Sequence, residues 1–173
     1  MNKTWISMLL FSLATVVFIM PQVGAADEGE KSDEEMIDAR GMEFVAAWNE
    51  HDPKAMAMLW AEDGDFVNPF GRVAQGREAV EKLFAEDHAG IMKGTTYSMT
   101  LKWVQMIKPD VAVATWDGTV SGMRAPDGTA LPVLEHLVTV VTMKKDGRWW
   151  TVSARAMAPV PMAPPPMPGK SEK

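Results

Sequence analysis

The chain has 173 residues, of which 47% are hydrophobic, a formal net charge of −6 and no cysteine. That is enough apolar material for one core in one domain with tails, and it excludes disulfides and a cysteine-borne lipid anchor. The acidic balance argues against nucleic acid and anionic membrane surfaces as partners and suits neutral or cationic ones.

Residues 1–25 read as a cleavable leader. Lys3 precedes an apolar run from Trp5 to Met20, Pro21 breaks it, and Val23-Gly24-Ala25-Ala26 supplies small residues for cleavage after Ala25. As a helix that run would span about 24 Å against a hydrocarbon core of roughly 30 Å, so an uncleaved anchor is the weaker reading. The expected location is therefore periplasmic or secreted, with no membrane contact after cleavage. Residues 26–35 form an acidic leader, and the folded domain is expected over 36–157.

A first helix is expected from Ser32 or Asp33 as N-cap, with Met36, Ile37, Phe44, Val45 and Trp48 close to one face. Asp52-Pro53 gives a cap and an N1 proline for a short second helix carrying Met56, Leu59 and Trp60. Asp65 to Asn68 reads as a strand, Asn68-Pro69-Phe70-Gly71 as a turn and Arg72 to Gln75 as a short return strand. After Gly76 a third helix runs from Arg77 to about His88, with Val80, Leu83 and Phe84 inward. The period then changes. Strands are expected over 95–107, 111–122, 131–144 and 148–157, separated by Pro109-Asp110, Pro126-Asp127-Gly128 and Asp146-Gly147. Helices followed by closely joined strands indicate an α+β domain whose strands form an antiparallel meander. Residues 158–173 are proline-rich and expected to be extended or disordered.

Five short pieces occur in a telling order: Trp48-Asn49 with Asp52, AEDGDFVNPFG over 61–71, Gly76-Arg77-Glu78, Asp110-Val111-Ala112-Val113, and Asp146-Gly147-Arg148-Trp149. Together they resemble the nuclear transport factor 2-like superfamily, in its SnoaL-like, SgcJ/EcaC-type branch of domains of unknown function. The resemblance implies a cone: a curved antiparallel sheet with three N-terminal helices packed on its concave face, enclosing one pocket. It also implies a homodimer through the outer face of the sheet. Steroid-isomerase relatives need a carboxylate base, a tyrosine and a protonated acid. By that resemblance the three positions fall on Asn68, Phe44 and Thr139 here, which cannot perform those proton transfers.

On the strand 131–144, Glu135 and His136 point to opposite faces, so one of them enters the pocket and is the candidate proton-transfer residue. The even face would place His136 with Val138 and Val140, the odd face Glu135 with Leu137 and Thr139. On the last strand, Trp149, Thr151, Ser153 and Arg155 are read as the pocket face; Arg155 would bind an oxyanion with its forked guanidinium or stand in a structural ion pair. Phe44, Trp48, Trp60, Phe66, Asn68, Trp116 and Arg155 are the expected ligand-binding set. Asp63 and Asp65 bracket Gly64 but suit a turn better than a metal site, and no cofactor is expected. His51 and His88 have no nucleophile beside them in sequence. The reading is an exported protein binding a small, mostly apolar or aromatic ligand in one largely apolar pocket; the alternative is a non-redox acid–base enzyme, namely a dehydratase, isomerase or cyclase.

Overall fold

The structure is a computed structural model and describes residues 31–159. The expected leader over 1–25, the acidic stretch up to residue 30 and the proline-rich tail from 160 onward lie outside the described residues.

Helix α1 (Asp33–Asn49) starts on a capping box: the Ser32 hydroxyl accepts from the Glu35 amide, and the Glu35 carboxylate accepts from the Ser32 amide. Asp33, Glu34 and Glu35 occupy the first turn, where the helix dipole favours acids. The helix therefore begins inside the segment expected to be leader. Asp33 explains why that turn is ordered, because its Oδ1 accepts from Lys144 Nζ at 2.7 Å and from Trp149 Nε1 at 3.1 Å. Lys144 and its hydrogen bonds hold the Asp33 carboxyl below the usual carboxylate range.

Helix α2 (Pro53–Ala57) has Asp52 as cap, its carboxylate accepting from the Ala55 amide at 2.9 Å, and Pro53 at its first position. It stops earlier than its apolar spacing suggests. Leu59 lies past its end, and Trp60 opens strand β1 (Trp60–Val67) rather than closing the helix. Strand pairing wins here because Trp60 faces Thr151 across the sheet while the Leu59 carbonyl accepts from the Thr151 amide at 3.0 Å. The turn at Asn68-Pro69-Phe70-Gly71 leads to β2 (Val73–Gln75), and Gly76, at φ 85°, allows the bend into α3 (Arg77–Ala89).

Four long strands follow: β3 (Thr96–Lys108), β4 (Val111–Ser121), β5 (Leu134–Lys145) and β6 (Arg148–Met157). The six strands form one open sheet in the order β2-β1-β6-β5-β4-β3. All neighbours are antiparallel except β1 and β6, which pair in parallel. That pair joins distant parts of the chain, with α3 and four strands between them, a connection long enough for parallel pairing. The α+β class with N-terminal helices on one curved sheet is as the sequence indicates; the parallel pair is the departure from a wholly antiparallel sheet.

Extra residues bend the sheet. Val152 is inserted opposite the Val141–Thr142 step, and Lys102 opposite the Thr115–Trp116 step. Buried residues from α1, α2, α3 and the inner face of the sheet form the main core, including Met56, Val80, Phe84 and Val120, each no more than 1% exposed. A smaller cluster of Ile37, Ala112, Ala114, Trp116 and Trp149 seals the end near the start of α1.

Candidate functional site

The helices do not fill the concave side of the sheet completely. They leave a cavity with about 80 Å³ open to the centres of water molecules, bounded by α1, β1, α3 and the inner faces of β3 to β6. At roughly 10–15 Å³ of such space per water, this is room for several waters or one small organic molecule.

Its wall is mostly aromatic. Phe44 stands at the centre, with ring centroids 5.6 Å from Phe84, 5.8 Å from Tyr97, 5.9 Å from Trp60 and 6.0 Å from Trp48. Phe66 packs on Trp60 and Phe84. The indole N–H groups are already used. Trp48 donates to Thr95 Oγ1, Trp60 to the Asp65 carbonyl, Trp116 to Asp38 and Trp149 to Asp33. These rings therefore offer the cavity apolar surface and no spare donor.

Of the expected ligand-binding residues, Phe44, Trp48, Trp60, Phe66, Asn68 and Trp116 all line this cavity, and Arg155 does not. The bulge at Val152 is the reason. One extra residue reverses which side of a strand faces inward, so Trp149 and Thr151 line the cavity and Ala154 and Ala156 continue it. Ser153 is left off the wall, and Arg155 turns outward to pair with Asp65 at 2.5 Å, its side chain 44% exposed. Arg155 is thus in the ion pair and not in the cavity.

Asn68 lines the cavity but its polar atoms are engaged. Its Oδ1 accepts from the Phe70 amide at 3.1 Å and the Arg72 amide at 2.9 Å, bracing the turn, and its Nδ2 donates to Asp87 Oδ2 at 3.0 Å. Asp87 receives Arg72 Nη1 at 2.7 Å on its other oxygen, and Arg72 also meets Glu86. This corner ties the turn after β1 to α3.

On β5 the even face looks inward. His136, Val138, Val140 and Thr142 line the cavity, whereas Glu135 and Thr139 lie on the other face and Glu135 is exposed. His136 meets a residue that pattern reasoning passed over, Tyr97, the chain's sole tyrosine. The Tyr97 hydroxyl lies 3.1 Å from His136 Nε2, and the two rings stack at 5.6 Å with 11° between their planes. Both are buried. Asn49 fixes the Tyr97 backbone from both sides, its Nδ2 donating to the carbonyl and its Oδ1 accepting from the amide. Gly118 makes the approach feasible: a Cβ there would sit 2.5 Å from the Tyr97 hydroxyl and 2.8 Å from His136 Nε2.

Burial pushes the His136 imidazole below its ordinary value, with the Leu134 carbonyl pulling partly back, and burial pushes the Tyr97 phenol up. At neutral pH the pair is a neutral imidazole beside a neutral phenol. With the proton on Nδ1, Nε2 accepts from Tyr97; with the proton on Nε2, it donates to the Tyr97 oxygen. His136 Nδ1 makes no hydrogen bond of normal geometry among the described residues.

Two other residues belong to this description. Arg40, on the same side of α1 as Phe44, also lines the cavity. Near the far end of α1, His88 packs edge-on to Trp48 at 4.5 Å, and its Nδ1 lies 3.1 Å from that of His51. Burial first, and the His51 charge second, push His88 down to about 4.

No helix among the described residues is long and apolar enough to cross a membrane. Among curated protein sequences, none matches this chain. The fold recurs in solved structures. An uncharacterised Caulobacter vibrioides protein with a cystatin-like fold is 23% identical, with TM-score 0.65 over 73% of this chain and 89% of that one. A provisionally named scytalone dehydratase from Novosphingobium aromaticivorans is 17% identical, with TM-score 0.61 over 78% and 93%. A ketosteroid isomerase-like protein from Erwinia carotovora is 16% identical, with TM-score 0.63 over 76% and 100%. At these identities the likeness is one of fold. The sequence of residues 42–152, most of the described domain, matches the SnoaL-like domain, and the chain belongs to that family.

Proposed function

We propose that this SnoaL-like domain holds one small, mostly apolar or aromatic molecule in the cavity, with Tyr97 and His136 as its polar contact. The observation that carries this reading is the Tyr97–His136 pair, buried in a wall whose indole donors are already satisfied by the protein. A ligand there exchanges water for aromatic surface and finds the Tyr97–His136 pair to hydrogen-bond. The proposal includes export after removal of the leader and a homodimer; exposed sheet residues such as Trp103 and Met143 support the latter. Native mass spectrometry of the mature protein, taken from its own exported fraction, tests all of this. The expected result is a dimer mass carrying a small organic adduct that a His136→Phe variant lacks. An empty wild-type protein that also gives no thermal shift with small aromatic compounds overturns the binding reading.

The same pair supports a second reading, acid–base turnover of the bound molecule. A neutral imidazole beside a phenol can take a proton from carbon and return one to oxygen, the work of a dehydratase, isomerase or cyclase. Glu135 is replaced in this reading by His136 alone, because Glu135 lies outside the cavity. The recovered ligand, incubated in D2O, should exchange a C–H proton with wild type and not with His136→Phe. Equal exchange in both removes catalysis while leaving binding intact.

A further inference from the structure

Besides Tyr97 and His136, the cavity wall contains a charged group with unmet donors. Arg40 sits one turn before Phe44 and two turns before Trp48, so all three project from one side of α1. Its side chain is only 16% exposed. One nitrogen, Nη1, meets the Glu43 carboxylate across the helix surface. The other two, Nε and Nη2, are buried and have no hydrogen-bond partner among the described residues.

Which atoms remain is informative. Nε and Nη2 form one edge of the guanidinium plane, with two roughly parallel N–H bonds spaced to match the oxygens of a carboxylate. Leaving such donors buried and unmet is costly, so a native protein that keeps them needs a partner for them. The neighbouring acids do not serve: Asp38 Oδ1 accepts from Trp116, and Glu43 holds the opposite side of the guanidinium. Burial pulls the Arg40 guanidinium below its ordinary value, the Glu43 carboxylate pulls it partly back, and the nearby Arg148 charge adds to the lowering. Burial and Arg148 favour an incoming anion, and Glu43 offsets them only in part, because it meets Nη1 and leaves Nε and Nη2 unmet.

We infer that the ligand of this cavity is a small aromatic or compact aliphatic carboxylate, its acid group bound side-on by Arg40 Nε and Nη2 and its apolar body lying against Phe44, Trp60 and Trp116 toward Tyr97 and His136. This inference rests on the binding reading above and adds the ligand's charge class. It explains why one basic residue stands on an otherwise apolar helix stripe made of Ile37, Gly41, Phe44 and Trp48.

The test compares benzoate with benzamide, a neutral compound of nearly the same shape, by calorimetry or by quenching of tryptophan fluorescence. Wild type should prefer benzoate by about tenfold or more, the discrimination expected of a buried charge-assisted bidentate contact. In Arg40→Met the preference should fall to about unity while benzamide binds as before, and Arg40→Lys, which keeps the charge but loses the fork, should lie between. Glu43→Gln guards against a folding artefact: it leaves the inward edge untouched and should retain or raise the benzoate preference. Equal affinities for the two compounds in wild type, or a preference surviving in Arg40→Met, overturn the carboxylate assignment and leave the binding reading standing. If neither compound binds wild type at millimolar concentration, both the assignment and the binding reading fall.

Discussion

Two polar corners face the same apolar cavity, and they are built in opposite ways. At the Asn68 corner every strong group is matched: the amide oxygen takes two backbone N–H groups, the amide nitrogen reaches Asp87, and the remaining Asp87 oxygen takes Arg72. At the Tyr97 corner a single hydrogen bond of normal geometry links two buried rings, and His136 Nδ1 has only a looser contact with the Leu134 carbonyl. A saturated network fixes the chain and has nothing to offer a guest, whereas a pair with unspent bonding capacity can turn toward one. Asn68, which the sequence suggests as a ligand contact because of its place before the Pro-Phe-Gly turn, is spent on the turn itself.

Asn68→Ala should break the fold far more than the site. It strips two backbone amides of their acceptor and leaves Asp87 buried with Arg72 alone, which should cost about 2–4 kcal/mol and lower the melting temperature by roughly 5–15 °C. Folded Asn68→Ala protein, assayed well below its melting temperature, should bind benzamide as wild type does. A stable Asn68→Ala protein with lost affinity would reverse the assignment of the two corners.

Tyr97→Phe is the complementary change. It removes one hydroxyl, keeps the ring against Phe44 and Trp48, and leaves His136 without its partner, so the expected cost is about 0.5–1.5 kcal/mol. Its effect on benzamide affinity should be the larger one, on the order of tenfold, because that hydroxyl is half of the polar contact proposed for the ligand. Thermal melts and binding isotherms on both variants give a two-by-two comparison, and equal behaviour of the two would dissolve the distinction drawn between the corners.

What was legible in the chain followed from local rules. Ser32 as an N-cap, Asp52 with Pro53 and the turn at Asn68 to Gly71 are written in residue types at local positions, and they form as expected. The aromatic wall follows from large rings on inward-facing positions. The failures are all non-local. Trp149, Thr151, Ser153 and Arg155 alternate without a break, and nothing in them marks Val152 as an extra residue; only its pairing with β5 does. Trp60 lies at helical spacing from Met56 yet takes strand geometry because Thr151, some ninety residues later, faces it. Tyr97 meets His136 through the register of three strands, with Gly118 as the gap between them. Arg40 carries no mark of its own in the sequence; the signal for it was its place four residues before Phe44 and eight before Trp48.

The smallest expected effect separates two buried histidines by pH. His136 and His88 are both held below their ordinary value of about 6.5 by burial, His88 to about 4 with the help of His51. In each case the unfolded chain binds the proton more readily, so stability is full above about pH 6.5 and declines as pH falls toward 4. Asp33, held low by Lys144, loses its contribution only below its unfolded value of 3.8, beneath this window. Because both imidazoles retain some contact with solvent, screening limits the loss to on the order of 1 kcal/mol. Chemical denaturation at several pH values should therefore show a shallow decline between 6.5 and 4 that His88→Phe flattens in part and His136→Phe reduces further. Ligand should distinguish the two histidines. A saturating guest at Tyr97 and His136 should shift the His136 titration, followed by proton NMR of the imidazole, and leave that of His88 in place. A guest that moves His88 instead would relocate the occupied end of the cavity to the far end of α1, beside Trp48 and His51.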